Sequence, residues 1–366
     1  MRKFYQWLLR KPVSWFADKV SSQPNRERVH TALSNLYTHI KENPGKKGII
    51  IPAELNSNRF IIFSDQHKGA KNGSDDFAYA EKNYLAALGY YNQNNFHFIS
   101  LGDNEELWEN TLNAVKKNNI TSFEKEKLFL QRKAFIKVFG NHDLYWNNDP
   151  FAAWQLKKIY DEEVKIYEGI ILQTKIDNKQ LDIFLTHGHQ GDGQSDGNKF
   201  SAWVVGAIWA PLQAYLDINP NTPSVNDHLK TEHNRMMYEW SEMQKNLLLI
   251  TGHTHQPVFA SLTHLEKLYQ QLISAMSNNN AAEAEKIEKE ITWRKQDYNN
   301  FEQQHHIVRP TYFNTGCCCF SDGDITGIEI ADDTIRLIKW GYDTTGNSVK
   351  KILEETSLLQ LIAKLN

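Results

Sequence analysis

Short apolar, β-prone runs recur along this chain, and each ends in a polar turn. They are Phe60-Ile61-Ile62-Phe63, Phe98-Ile99-Ser100-Leu101, Phe135-Ile136-Lys137-Val138-Phe139, Ile183-Phe184-Leu185 and Leu247-Leu248-Leu249-Ile250. Elsewhere the period is helical. Residues 26–43 place Val29, Leu33, Leu36 and Ile40 on one face, and Asn43-Pro44-Gly45 ends the helix. Asp76 to Gln93 carries Tyr79, Tyr84, Leu85 and Leu88 as a helix between the first two runs. Strands alternating with helices predict α/β layers. Further on, Thr326 to Trp340 alternates like a β-hairpin around Asp332-Asp333, and Ile352 to Leu365 reads as a final helix.

Two stretches interrupt the alternation. Residues 195–245 follow a glycine-rich opening, Gln190-Gly191-Asp192-Gly193-Gln194, and turn apolar through Phe200, Trp203, Val204, Val205, Ile208 and Trp209. Their place in the chain favours a lid or substrate wall, with a helical layer away from the site as the alternative. Residues 262–304 read as a helical hairpin: Leu262, Leu265, Leu268 and Leu272 on one helix, a turn at Asn278-Asn279-Asn280, and a charged helix from Ala281 to Gln303. It is either a contact for substrate or partners or a solvated arm. The expected division is a helical extension over 1–55, a main domain over 56–345 and a C-terminal helix over 346–366.

Composition narrows the class. At 366 residues the chain can bury a sizeable core in one large domain or two. A formal charge of −3 gives no electrostatic case for a nucleic-acid partner. No run approaches the ~20 apolar residues that a membrane span needs. After Met1-Arg2-Lys3 the apolar stretch is short and is broken by Arg10, Lys11 and Pro12, so no signal peptide is read and a cytoplasmic location is expected. Residues 1–20 are nevertheless basic and carry Trp7 and Trp15. That pattern either packs on the domain as a cover helix, the favoured reading, or makes peripheral contact with a membrane. The three cysteines are contiguous, Cys317-Cys318-Cys319. Neighbouring cysteines cannot readily bridge, so a reduced compartment and a packing role beneath the site are expected, with contact to a metal as the alternative.

The polar turns carry the chemistry. Asp65-Gln66-His67, Gly102-Asp103, Gly140-Asn141-His142-Asp143, Thr186-His187-Gly188-His189 and Gly252-His253-Thr254-His255 follow the five runs in that order. Strand ends that bring carboxylate and imidazole to one rim build a metal site. Carboxylate, amide oxygen and imidazole suit manganese, iron or zinc better than calcium or magnesium. Two metals roughly 3.5–4 Å apart share a ligand, usually a carboxylate. Asp103, directly after a glycine turn, is the natural bridge. Asp65 and His67 lie two apart, so a locally extended chain aims both to one side, and His253 and His255 repeat that spacing. Asn141 offers a neutral oxygen and His187 completes the set. Seven such donors are too many for one ion and about right for two. The chain has no GxxxxGK(S/T) loop, so nucleotide hydrolysis by that route is unsupported.

This order of motifs resembles the calcineurin-like metallophosphoesterase superfamily, whose DxH, GD, GNH(D/E), H and GHxH elements are all matched between roughly Arg59 and Phe320. The resemblance implies two packed mixed β-sheets flanked by helices, a four-layer sandwich carrying the helical insertions. It implies Asp65, His67, Asp103 and His255 on one divalent ion and Asp103, Asn141, His187 and His253 on the other, manganese first and iron or zinc as alternatives. It implies hydrolysis of a phosphate ester or pyrophosphate by a metal-bridging hydroxide. His142 is then not a ligand; it faces the substrate phosphate and assists the leaving group, with Asp143 orienting it.

His189 is left as either a substrate contact or an outer partner of a ligand. Glu105, Glu106 and Trp108 either orient ligands or begin a solvated helix. Tyr312 to Gly316 looks like the closing strand–turn of the superfamily, with Asn314 structural. Gly102 to Trp108 and the insertions are similar in part to UDP-2,3-diacylglucosamine pyrophosphatases, peripheral membrane enzymes. Those commonly carry Arg where His142 stands and His-Gly-Asp where this chain has His187-Gly188-His189. A metal-binding scaffold without turnover is the reading of another class, disfavoured because none of the seven candidate ligands is lost.

Overall fold

Alternation within the buried strands decides how the layers stack. In β2 (Phe60–Phe63) both faces are buried. Phe60 and Ile62 join the core between the two sheets, whereas Ile61 and Phe63 join a second core beneath an outer helix. The computed structural model describes residues 25–54, 57–72, 75–176, 179–191, 227–277, 280–295 and 309–365.

One sheet has the order β1 (Gly48–Pro52), β6 (Gly169–Ile176), β7 (Lys179–Thr186), β8 (Leu247–Thr251), β11 (Tyr312–Asn314), β9 (Val258–Phe259) and β10 (Leu262–Thr263). The other runs β14 (Ser348–Ser357), β13 (Thr334–Tyr342), β12 (Ile325–Ala331), β2, β3 (His97–Leu101), β4 (Phe135–Val138) and β5 (Ile166–Tyr167). Both are mixed: β7, β8 and β11 are parallel, as are β2 to β5, while β6–β7 and β12–β13 are antiparallel. Between the sheets, Ile62, Ile99, Leu101 and Val138 of one meet Leu172, Ile183, Leu185, Leu248 and Ile250 of the other. Helix Phe77–Gln93 covers one outer face through Tyr84, Leu88 and Tyr91. Helices Arg26–Glu42 and Asp227–Glu242 cover the other, where Val29, Leu33, Met237 and Trp240 pack on Ile171, Phe184 and Leu249. This is the expected α/β/β/α sandwich.

Several expectations need correction. Residues 26–54 are not a separate extension. The helix forms, capped by the Asn25 side chain on the Arg28 amide at 3.0 Å, but it lies on the sheet, and β1 pairs with β6 in parallel. The final helix is shorter than read: Ser348–Ser357 is a strand, and only Leu358–Leu365 is helical. The doublets Lys350-Lys351, Ile352-Leu353 and Glu354-Glu355 fit neither period cleanly, and the open edge of β13 decides the outcome by pairing along the whole segment. In the first insertion, Asp227–Glu242 is a packed layer rather than a lid; residues 192–226, which bear the apolar run read as the lid, lie outside the described residues. The hairpin forms as helices His264–Ser277 and Ala281–Lys295 with a small core of their own, although Leu262 belongs to a strand; residues 278–279 and 296–304 lie outside the described residues. The basic segment 1–20 also lies outside them.

Asp182 on β7 fastens the first helix to its sheet. Its Oδ2 accepts from Tyr37 Oη at 2.6 Å and Lys41 Nζ at 2.8 Å, and its Oδ1 accepts from Gln173 and Gln180 at 3.2 Å each. Burial pushes this carboxyl up, but the donated bonds, led by Lys41 and then Tyr37, outweigh it and hold its pKa below the usual value. A depressed folded pKa adds stability above the unfolded pKa of ~3.9 and loses it as pH falls. Asp182→Asn is therefore expected to destabilise the protein by about 1–3 kcal/mol at neutral pH, the deficit shrinking below about pH 4. Denaturant midpoints measured across pH test this; a deficit constant from pH 7 to pH 3 would contradict it.

Candidate metal centre

The motif residues converge because the parallel pairing of the strands continues into the loops. Past β2 and β3, the amides of Asp65, His67 and Lys68 donate to the carbonyls of Gly102, Asp103 and Asn104 at 2.9–3.0 Å. In the other sheet, past β7 and β8, the Gly252 amide donates to the His187 carbonyl at 3.0 Å. Asp65, His67, Asp103, His253 and His255 all adopt left-handed backbone, with φ between 48° and 70°. L-residues rarely do so, and here it turns the side chains back across the strand ends. Gly102 and Gly140 are required by close approach. A Cβ on Gly102, whose φ is +89°, would sit 2.5 Å from the His187 ring, and one on Gly140 would overlap the Asp103 carboxylate.

All seven candidate ligands reach one buried cluster. Asp103 Oδ2 stands 3.1 Å from His187 Nε2 and 3.8 Å from His67 Nε2. On the His67 side, His255 Nε2 is 3.2 Å from Asp65 Oδ1 and 3.2 Å from His67 Nε2. On the His187 side, Asn141 Oδ1 is 3.3 Å from His187 Nε2, and donors of Asp103, His187 and His253 lie within 4.8 Å of one another. His253 Nε2 is buried without a hydrogen-bond partner. Imidazole nitrogens this close to each other, beside two carboxylates and an orphaned nitrogen, are donors arranged for cations rather than for one another.

The electrostatics agree. Burial pushes imidazoles down, yet the surrounding acids raise His67 to about 10, through the hydrogen bond to Glu106 and the charge of Asp103. They raise His187 to about 9, chiefly through Asp103. By contrast, burial and then the neighbouring imidazoles hold His253 well below the usual value. His189 falls to about 3 for the same reasons. Its ring packs 5.4 Å from that of His187, and its buried Nδ1 has no partner.

His142 lies beside the cluster. Its amide donates to Asp103 Oδ1 at 2.8 Å, and its ring remains 12% exposed, so a substrate can reach it. Asp143 does not orient that ring. Its carboxylate turns into the protein and accepts from the Gly140 amide at 2.5 Å and the Asn104 amide at 2.9 Å. Glu106 takes the place expected of it: Oε2 meets His142 Nδ1 at 2.7 Å and His67 Nδ1 at 2.8 Å. Burial opposes ionisation of Glu106, but the two imidazoles bring it down to about 2. Trp108 stacks flat on His142 with ring centroids 4.0 Å apart.

Two further contributors had no signal in the sequence. His233 and Asn234 come from helix Asp227–Glu242. His233 Nε2 meets the Gly188 carbonyl at 2.7 Å, and its ring lies 5.1 Å from that of His253. Asn234 accepts from Thr254 Oγ1 at 3.1 Å and Tyr312 Oη at 2.8 Å. Asn314 is structural as expected, donating to the Gly252 carbonyl at 2.7 Å.

Behind these loops lies a buried ion quartet. Lys68 Nζ meets Glu126 at 2.7 Å and Glu105 at 3.4 Å, and Lys137 Nζ meets Glu105 at 2.9 Å. Tyr160 and Trp146 donate to the remaining carboxylate oxygens, and Tyr84 joins Lys68 on Glu126 Oε1.

A family model described as calcineurin-like phosphoesterase matches residues 58–257, more than half of the chain. The chain belongs to that family, and is a metal-dependent phosphoric ester hydrolase of a dimetal-dependent class. No curated protein matches it. Among solved structures it is similar to vacuolar protein sorting 29 from Cryptosporidium parvum, at 12% identity and a TM-score of 0.31, covering 82% of this chain and 98% of that one. It is also similar to a dimetal phosphatase from Danio rerio, at 10% identity and a TM-score of 0.37, covering 81% and 99%. A third is described as a 5'-nucleotidase from Staphylococcus aureus in complex with alpha-ketoglutarate, at 12% identity and a TM-score of 0.32, covering 84% and 57%. Among the described residues no helix is long and apolar enough to cross a membrane.

Removing one member of the quartet strands an opposite charge in the dry interior. Lys137→Met is expected to destabilise the protein by about 3–5 kcal/mol, and adding Glu105→Gln to recover part of that. Unfolding of the single and double variants decides it. A loss under about 1 kcal/mol would mean that the quartet is solvated rather than buried.

Proposed function

We propose that this chain hydrolyses a phosphate ester or pyrophosphate bond with two divalent ions. Asp65, His67, Asp103 and His255 would hold one, and Asp103, Asn141, His187 and His253 the other. The observation that carries this reading is the Asp103 carboxylate, which stands between the His67 and His187 nitrogens and belongs to both sets. Two such ions supply charge neutralisation at the phosphate and a lowered pKa for the attacking water. Manganese is the metal to load first, with iron and zinc as alternatives on the same donor chemistry.

The chain's own groups do the rest. Glu106 accepts from His142 Nδ1–H, which leaves Nε2 to face the substrate, where a second proton carried on Nε2 would pass to the departing oxygen. Trp108 limits ring rotation by stacking, and the amide bond to Asp103 ties the position of His142 to the shared ligand. Because the same Glu106 oxygen also meets His67, the ring that assists the leaving group and a ligand ring are set by one carboxylate.

The narrower similarity to UDP-2,3-diacylglucosamine pyrophosphatases rests on Gly102 to Trp108 and on the insertions, and residues 192–226 of the first insertion lie outside the described residues. A generic phosphodiester tested beside a generic monoester therefore comes first.

On manganese-loaded protein, turnover that a chelator abolishes is expected, and the diester-to-monoester ratio would narrow the substrate class. Asp103→Asn should lose both metal loading and turnover while keeping its circular dichroism. His142→Ala should keep its metal and lose about 10²–10⁴-fold in rate. Full metal occupancy with normal turnover in Asp103→Asn would refute the shared-ligand assignment.

A further inference from the structure

The imidazoles of the cluster differ in what holds their outer nitrogens. For His67 and His142 the partner is the Glu106 carboxylate, and for His187 Nδ1 it is the Leu101 carbonyl at 3.0 Å. For His255 it is sulfur: Cys319 Sγ lies 3.8 Å from Nδ1, with the Cys317 thiol beside both, while Nε2 on the far side of the ring faces Asp65 and His67. His67, His255 and Cys319 also present donor atoms that all lie within 4.8 Å of one another.

The cysteine run is not free to drift. The Cys318 amide donates to the Asp65 carbonyl at 3.1 Å, and the Thr326 amide donates to the Cys317 carbonyl at 3.0 Å. Cys318 packs in the core with Phe63 and Ile325. Cys319 is therefore fixed relative to the loop that carries Asp65, and it transmits that position to His255.

We propose that Cys319 is a positioning residue of the metal centre, holding the outer nitrogen of His255 so that the inner nitrogen stays turned towards Asp65 and His67. The proposal rests on the metal-centre reading given above. A thiol is a weaker and more polarizable acceptor than the oxygens that hold the other rings. The outer partners of metal-binding histidines set ring orientation and donor strength, and their loss typically weakens binding by about 10–100-fold. The His67–His255 half of the site is thus tuned by a sulfur, and the His187–His253 half is not.

The test uses apo full-length chain, titrated calorimetrically with Mn²⁺ and optically with Co²⁺, as wild type, Cys319→Ala and Cys319→Ser. Thermal melts confirm folding of each. Expected are two ions on the wild type, and on Cys319→Ala one ion at wild-type affinity with the other about 10–100-fold weaker. Cys319→Ser, whose hydroxyl can still accept, should lie near the wild type. If the alanine variant does not fold, Cys319→Val, which fills the space but cannot accept, takes its place with the same expected and overturning results. Wild-type affinities for both ions in Cys319→Ala would overturn the proposal. So would a sulfur-to-cobalt charge-transfer band in the wild type that Cys319→Ser loses, since Cys319 would then be a ligand. A wild type that takes up no ion would instead overturn the metal-centre reading itself.

Discussion

The structure turns on bringing seven polar donors, two of them carboxylates, into one buried cluster at the ends of five strands. Nothing apolar compensates for their desolvation, so the chain must hold them by backbone geometry. It does so with left-handed backbone at Asp65, His67, Asp103, His253 and His255. Each such residue costs on the order of 1–3 kcal/mol and persists only where its surroundings over-determine it. The surroundings are the amide bonds that carry the β2–β3 pairing into the loops, and the close approach permitted by Gly102 and Gly140. The strain is concentrated where donors must converge.

The buried quartet serves the same constraint from behind. Lys68 adjoins His67, and Glu105 adjoins both Asn104 and Glu106. The ion pairs among Lys68, Glu105, Glu126 and Lys137 therefore grip the two loops that supply His67, Asp103 and Glu106. Two ammonium and two carboxylate groups balance in charge, and the oxygens left over find Tyr160 and Trp146, with Tyr84 on the Glu126 oxygen that Lys68 also meets. A buried ion pair is weak evidence for net stability, because its desolvation offsets the attraction. Its geometry is demanding, however, and that suits a device that fixes loops more than one that stabilises the fold.

The candidate ligand motifs were legible in the sequence because a metal site would impose short-range spacing: Asp65 with His67, and His253 with His255, each behind a uniformly apolar run. The layers were legible for a related reason, since strands such as β2 are buried on both faces and leave no other use for their side chains. What was not legible depends on contacts distant in sequence. Asp143 adjoins His142, yet its carboxylate bonds the Gly140 and Asn104 amides, and Glu106 reaches the ring from another strand end. Segment Ser348–Ser357 becomes a strand only because β13 offers an edge. His233 comes from a helix whose pattern shows only that one face is apolar.

That helix changes how the outer layer is understood. Asp227–Glu242 is locked to the first helix by Trp240 Nε1 on Ser34 at 2.9 Å and by His30 on the Met236 carbonyl at 3.1 Å. One turn away, His233 holds the Gly188 carbonyl and Asn234 receives Thr254. Those residues sit within the two turns that bear His187, His253 and His255. The apolar packing of two surface helices is thus continuous with the hydrogen bonds that orient the His187–His253 half of the site, while the quartet and Glu106 govern the half built around His67. Asp103 is a residue on which both supports meet, by its ring contacts and by the His142 amide. Displacing either support would therefore reach the other half of the site through that carboxylate.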